Sequence, residues 1–407
     1  WSRTGEFKDK GLNPGQFAWM YQGIESVETP DPYTAVIHFS QPFAPFINYT
    51  ASNYNPIVSR EIYEEDGHLK DRIVGTGPWQ LDPAASQKGT RWVWKKHAGY
   101  WDSGKPYLDE VRWLVIPDNA AALAAFQARQ VDHLARTALN FRAVDDLKKA
   151  VPQAQTMKYS QPFGNHLFIN NRQKPLDDVR VRRAISLAID RDELAMADQG
   201  EKAPWALPGA ISGLFTDAEA RQLIKYDPVE AKRLLAEAGF PNGIEIPWEY
   251  PGQHYGQGYV TRLELLQAQF KKAGINMALK NLENTDYITR RRAGNSLVSL
   301  ASVYCGTSDD IDAHIYACYH SKSKQAYMFI NDPEMDRLLE AQRQEPDPEK
   351  RREALRNAVK RLTEQAYGVA TYYPSHFEAW QPHVKSYMPN LSGWFGGSRW
   401  DSVWLDK

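Results

Sequence analysis

Asp309, Asp310 and Asp312 put three carboxylates in one short stretch, the side chains that general acid–base hydrolysis uses in pairs. Clustered acids also cap helices or sit in water, which is the simpler reading. His314 and His320 flank Cys318, and imidazole with thiolate suits a transition-metal ion. Neither histidine belongs to an H-E-x-x-H pair, so both read as ordinary core or surface residues. GYWDSGK at 99–105 fills the first seven positions of a phosphate-binding loop. Pro106 then stands where Ser or Thr must hold Mg²⁺, and no strand leads straight into a helix there, which argues against nucleotide binding. No G-x-S-x-G elbow occurs, and Arg290, Arg291 and Arg292 read as a solvated helix face. No catalytic residue, metal ligand or cofactor is assigned. The absence of a catalytic constellation points to binding.

Aromatic residues are the better candidates. The chain of 407 residues holds 13 Trp and 21 Tyr, and its aromatic fraction is 12%. Such rings line sites where flat apolar faces meet polar ligands, and they also fill large cores. A net charge of −1 argues against nucleic acid or an anionic membrane as the main partner. No apolar run approaches the ~20 residues that span a bilayer. The two cysteines, Cys305 and Cys318, could pair or stay free. Trp1, Ser2 and Arg3 include neither an initiator Met nor an apolar secretory segment. Either a leader was removed or the chain starts inside a longer protein.

The length suggests two or three domains. Residues 35–39, 91–95 and 111–116 read as strands, and 119–130 as an Ala-rich helix. Beyond Phe163 the pattern becomes regular α/β. Asp227-Pro228, Asp332-Pro333 and Asp347-Pro348 each supply an N-cap followed by Pro at the first helical position, and Glu230 takes the third. Gly239 closes the first of these helices. Within 170–194 (NNRQKPLDDVRVRRAISLAIDRDEL), Val181, Ala184, Ile185, Ala188 and Ile189 mark one apolar helical face, opened by Asp177 and Asp178. A strand over 369–373 follows later. The sum is an α/β fold with mixed sheets.

The 170–194 segment resembles the signature of the family 5 solute-binding proteins that serve peptide, nickel and oligosaccharide ABC importers. GTGPW at 75–79, YWDSGKPYLDEV at 100–111, the 227–242 segment, KKAGI at 271–275 and DPEMDRL at 332–338 follow in the family's order and spacing. The resemblance implies a two-lobed periplasmic-binding-protein type II clamp with an additional domain (cluster C), here lacking its N-terminal part. It assigns 1–58 to the remainder of domain II, 59–162 with 386–407 to domain I, and 163–385 to domain III. Ligand between two lobes favours the closed state by its differential affinity. The implied partners are a small solute and an ABC permease. The implied state is an extracytoplasmic monomer, periplasmic or a cell-surface lipoprotein, touching the membrane only through a lipid anchor or the permease.

The same resemblance sets the ligand expectations. Val303, Tyr304 and Cys305 match a family segment that pairs with an extended peptide backbone. Peptide binders carry an Asp for the ligand's ammonium where this chain has Thr307. A buried ammonium without its carboxylate loses about 3–5 kcal/mol. An oligosaccharide or related small solute is therefore the first expectation, and an oligopeptide or dipeptide the alternative. A hydrolase using Asp309, Asp310 or Asp312 and a sensor module of a transcription regulator are lesser ones. Where some peptide binders place a disulfide partner for Cys305, this chain has Phe163. Tyr287, His254, Tyr387, Asn53 and Tyr54 are further ligand-binding candidates by position. Trp248, with Tyr250 and Tyr255, is added as an aromatic group following a strand end.

Overall fold

The computed structural model describes residues 18–21, 23–52, 57–67, 72–135, 139, 141–160, 164–255, 257–301, 310–323, 328–390 and 399–406. Two units divide the chain: Trp1–Ser52 with Gln161–Pro374, and Asn53–Ser160 with Ser375–Lys407. Among the described residues no helix is long and apolar enough to cross a membrane.

The first unit is built on a five-stranded mixed sheet in the order Ile275–Asn281, Ile244–Tyr250, Val298–Ala301, His166–Ile169, Gly368–Ala370. Ile275–Asn281 and Val298–Ala301 run parallel to Ile244–Tyr250, whereas His166–Ile169 is antiparallel to both of its neighbours. Period-2 alternation decides what each strand buries. Leu167 and Ile169 enter one core with Val181, Ile185, Leu235, Leu263 and Phe270, and Phe168 enters another with Ile315, Met335, Leu355 and Leu362. A sheet covered on both faces needs apolar residues at consecutive positions, as this strand has.

All three Asp-Pro openings form caps. The Asp227 side chain accepts from Glu230 N at 2.9 Å, Asp332 from Glu334 N at 3.1 Å, and Asp347 from Glu349 N at 3.0 Å. Glu230 does not close a capping box, because Arg233 takes its carboxylate. The one full box among the described helices joins Thr216 and Glu219. The apolar face of 181–189 is fully buried, but the helix Val179–Leu187 ends before Ala188 and Ile189, and a second helix, Arg191–Gln199, follows. Asp190 separates them by capping the second, accepting from Glu193 N at 2.9 Å.

Arginines of this segment bond to backbone carbonyls, among them those that helices leave unpaired at their C-terminal ends. Arg182 donates to the carbonyl oxygens of Gln365, Leu176 and Asp177 at 3.0, 2.9 and 3.0 Å. Arg183 reaches that of Glu364 at 2.7 Å, and Arg180 that of Glu237 at 2.6 Å. Arg191 is fully buried and donates to the carbonyls of Ala370, Ser186 and Ile189 at 3.0, 3.2 and 3.3 Å. Burial pulls its guanidinium down to about 9, against the charge of Asp190.

The second unit has small antiparallel sheets. One orders Trp79–Leu81, Arg91–Lys96 and Glu110–Leu114, another His133–Leu134, Ser375–Trp380 and Gln155–Ser160. Val384–Lys385 pairs with Trp404–Leu405. Phe126, Leu134, Leu147, Phe377 and Ala379 form its main core, between the helices Asn119–Gln127 and Phe141–Ala150.

Arg191→Ala should destabilise the first unit by about 3 kcal/mol, because several buried carbonyls lose their donor at once. Arg233→Ala, which removes only a surface ion pair, should leave stability nearly unchanged. Urea midpoints of the two variants check the contrast.

Candidate functional site

The strands Ile244–Tyr250, Ile275–Asn281 and Val298–Ala301 end on one edge of the first unit's sheet. In open α/β sheets ligands bind outside such carboxyl ends. The turn after Tyr250 is fixed by Asn281, whose Oδ1 accepts from Gly252 N at 2.9 Å, and by Leu282 N donating to the Tyr250 carbonyl at 2.8 Å. Only glycine fits at 252, since a Cβ there would meet the Tyr250 ring at 2.9 Å.

An aromatic cluster stands on this edge. Tyr255 lies 4.9 Å from Tyr259, Tyr250 6.5 Å from Tyr259, and His254 4.8 Å from Tyr255, between ring centroids. The Arg291 guanidinium lies 5.5 Å from the Phe168 ring and 5.4 Å from that of Tyr287. Burial, reinforced by neighbouring phenols, pushes Tyr259 well above its ordinary value and Tyr255 in the same direction. Their hydroxyls stay protonated at neutral pH. The cluster offers stacking faces, neutral hydroxyls and one guanidinium, which recognise a ligand without activating it.

Of the expected ligand residues, Tyr287 is a buried member of this cluster, and His254 is exposed beside it. Trp248 belongs to the core instead. The strand continues to Tyr250, so alternation turns Trp248 inward with Ile244 and Ile246, 5.7 Å from Phe270. Arg291 corrects the expectation of a solvated arginine face: it is buried, while Arg290 pairs with Glu249 at 2.7 Å. Val303, Tyr304, Cys305 and Thr307, together with Asn53, Tyr54 and Asp309, lie outside the described residues. Residues 302–309 follow Ala301, the last residue of its strand, in sequence.

Tyr387 lies in the second unit, where its hydroxyl donates to Glu378. Glu378 also accepts from Tyr159 at 2.7 Å and contacts His133 Nε2 at 3.2 Å. Burial works to raise this carboxyl, but His133, Tyr387 and Tyr159 hold it below its ordinary value. His133, Glu378 and Tyr387 border a cleft of about 830 Å³, together with Trp113, Trp400 and Asn390. Sequence reasoning missed Glu378. Its one signal is an acid between Phe377 and Ala379, both apolar.

Asp310 and Asp312 are structural, which overturns their use as catalytic carboxylates. Asp312 is fully buried and accepts from Arg343 at 2.9, 3.0 and 2.8 Å, as well as from Gln342 and Tyr49. Asp310 accepts from Arg351 at 2.9 and 2.6 Å and from Asn48 at 2.7 Å. Burial alone would raise Asp310, yet Arg351 keeps it below the usual carboxylate range. His320 is also committed: Nε2 lies 3.2 Å from Glu340, and Nδ1 accepts from Lys322 N at 3.1 Å. Cys318 is disulfide-bonded, so it offers no thiolate to a metal. No cluster of metal-binding side chains occurs among the described residues.

Residues 4–326 match the family of bacterial extracellular solute-binding proteins, family 5 middle, and the chain belongs to that family. It is 27% identical over 386 residues to the dipeptide-binding protein of Escherichia coli (strain K12), covering 91% of this chain and 70% of that protein. It is 31% identical over 259 residues to the glutathione-binding protein GsiB of the same strain, covering 63% of this chain and 49% of that one. The matched stretch thus spans about half the length of the glutathione-binding relative. Helicobacter pylori DppA in complex with the peptide STSA superimposes with a TM-score of 0.79 at 22% identity, covering 100% of this chain and 80% of that one. The fold is the two-lobed α/β fold of family 5 binding proteins, with a mixed five-stranded sheet in the first unit.

One imidazole on this edge responds to pH. His166 pairs in register with Ala301; its Nδ1 donates to the Gly164 carbonyl at 2.6 Å and its Nε2 accepts from Gly209 N at 3.2 Å. Burial lowers it to about 4, against the Gly164 bond. The unfolded chain takes up this proton near pH 6.5, so between those values it binds more protons than the folded state. Stability therefore falls as pH drops from about 6.5 to about 4, by up to about 3 kcal/mol. His166→Gln keeps both bonds without titrating. Urea midpoints across this range should fall less steeply in the variant than in the parent.

Proposed function

We propose that this chain is the solute-binding receptor of an ABC importer and that its cargo is a short peptide, held without turnover. The observation that carries this is the cluster of Tyr250, Tyr255, Tyr259, Tyr287 and Arg291 at the carboxyl edge of a family 5 sheet. Dipeptide, glutathione and STSA are the ligands named for the related proteins. They support the peptide alternative better than the oligosaccharide expectation. The 302–309 stretch, carrying Tyr304 and Thr307, would complete the site by backbone pairing in the manner of strand addition. A periplasmic or surface-anchored monomer that docks on the permease fits this role.

Thr307 would then shape peptide choice. Asp310 and Asp312 are committed to arginines, and a Thr at this position would offer the ligand's N-terminus a neutral oxygen. Binding of Ser-Thr-Ser-Ala by isothermal titration tests the reading. N-acetylation of this probe should weaken it less than about tenfold, the worth of one neutral hydrogen bond. A loss of over about a hundredfold, as for a broken buried charge pair, would show that a carboxylate does hold the ammonium. Thr307→Asp should raise affinity for the free-amine form alone. An oligosaccharide that binds while every peptide fails would remove the peptide reading.

A further inference from the structure

We propose that Glu378 is a positioning residue. It locks the register of the two strands through which the second unit hands the chain to the first, and peptide affinity depends on that lock. The affinity clause rests on the peptide reading above. The chain passes between the units at 52–53, 160–161 and 374–375. Two of these passages leave from a single strand pair. Gln155–Ser160 ends at the boundary, Ser375–Trp380 begins there, and Ser375 is in register with Ser160.

The two faces of this pair differ. Phe377 and Ala379 join the core of the second unit, with Phe126, Leu134 and Leu147. Alternation sends Glu378 to the other face, in register with Met157, where it is only 7% exposed. Tyr159 is the diagonal neighbour on that face, one residue before the strand ends, and its hydroxyl donates to Glu378 Oε1 at 2.7 Å. Glu378 Oε2 accepts from the Tyr387 hydroxyl and lies 3.2 Å from His133 Nε2. His133 belongs to the strand on the other side of Ser375–Trp380, and its ring packs on Tyr387 and Trp400, 4.6 and 5.3 Å between centroids. One carboxylate thus gathers partners from both neighbouring strands and from the segment that follows.

An apolar side chain at 378 would fill this space but would not fix the strands lengthwise. Phenols and imidazole meet the carboxylate in one register alone. A slip of one residue would carry Glu378 into the apolar core and Phe377 out of it. In a two-lobed receptor, cargo favours one arrangement of the lobes, and element-terminal residues of the connecting segments absorb the change. Roots that fray add arrangements in which cargo is not held. The apparent affinity then falls with the fraction of molecules that can hold it.

Glu378→Gln keeps the shape of the side chain and removes its charge. Titration of the full chain with Ser-Thr-Ser-Ala should show binding weakened about fivefold. Amide exchange read by mass should run about tenfold faster over 155–160 and 375–380, and unchanged over Ile244–Tyr250 in the first unit. Tyr159→Phe, which loses one donor and keeps its ring, should move both readouts the same way by less. Leu147→Ala loosens the same unit's core from a helix and leaves the carboxylate's partners in place, so its affinity should match the parent's. Parent affinity in Glu378→Gln, or an equal loss in Leu147→Ala, would overturn the dependence on the lock and leave the peptide reading intact. Unchanged exchange in Glu378→Gln would overturn the lock itself. Absence of binding by the parent would overturn the peptide reading, and exchange alone would then decide the lock.

Discussion

A guanidinium can bond several carbonyls at once from one fixed plane, and the first unit is assembled around that capacity. Every helix ends with unpaired carbonyls, and where helix ends are buried they need donors. Arg182 and Arg183 close the end of Pro348–Glu364, and Arg180 reaches Glu237 at the end of Pro228–Glu237. Arg191 bonds the last carbonyls of its own neighbourhood and the strand carbonyl of Ala370. Lysine, with a single point charge on a flexible stem, could not reproduce this geometry. Elsewhere in the unit the same side chain meets carboxylates instead, as Arg343 meets Asp312 and Arg361 meets Asp332.

Asparagines extend the principle to the sheet. Asn170 donates to the carbonyls of Gly294 and Ser296 at 2.8 and 3.2 Å. Asn171 donates to those of Ile169, Met328 and Tyr367 at 2.9, 3.0 and 2.9 Å. Two consecutive side chains thus fasten the end of the strand His166–Ile169 to three distant loops. That rigidity fixes the opposite end of the strand, where His166 and Ala301 face one another and the aromatic cluster begins. A binding edge built on such a sheet is organised before ligand arrives.

Local chemistry made much of this legible. An Asp-Pro pair can do little but open a helix, and an apolar repeat of three and four can do little but bury one face. Those rules found Asp227, Asp332, Asp347 and the Val181 face. They failed where one residue has two plausible environments. Trp248 and Tyr250 are both aromatic residues near a strand end, and only the strand's length places one inside and the other on the edge. Arg291 sits between two arginines of different burial, a distinction set by helix rotation against Phe168. Glu378 acquires its meaning from Tyr159 and His133, which lie far away in sequence. No window along the chain holds that information.

The contact between Tyr49 and Asp312 joins positions 263 apart in sequence, and Asn48 meets Asp310 across a similar span. Trp19, Met20 and Tyr49 share a core with Leu339, Leu355 and Leu362. Trp19, Met20 and Tyr49 therefore have no seat until the helices beyond residue 330 exist. Closing so long a loop is slow, because its entropy is lost before the contacts repay it. Until then these three apolar side chains have nothing to pack on. The order in which this unit can close is thus set by its most distant partners, since Tyr49 and Asp312 can meet only once the residues between them exist.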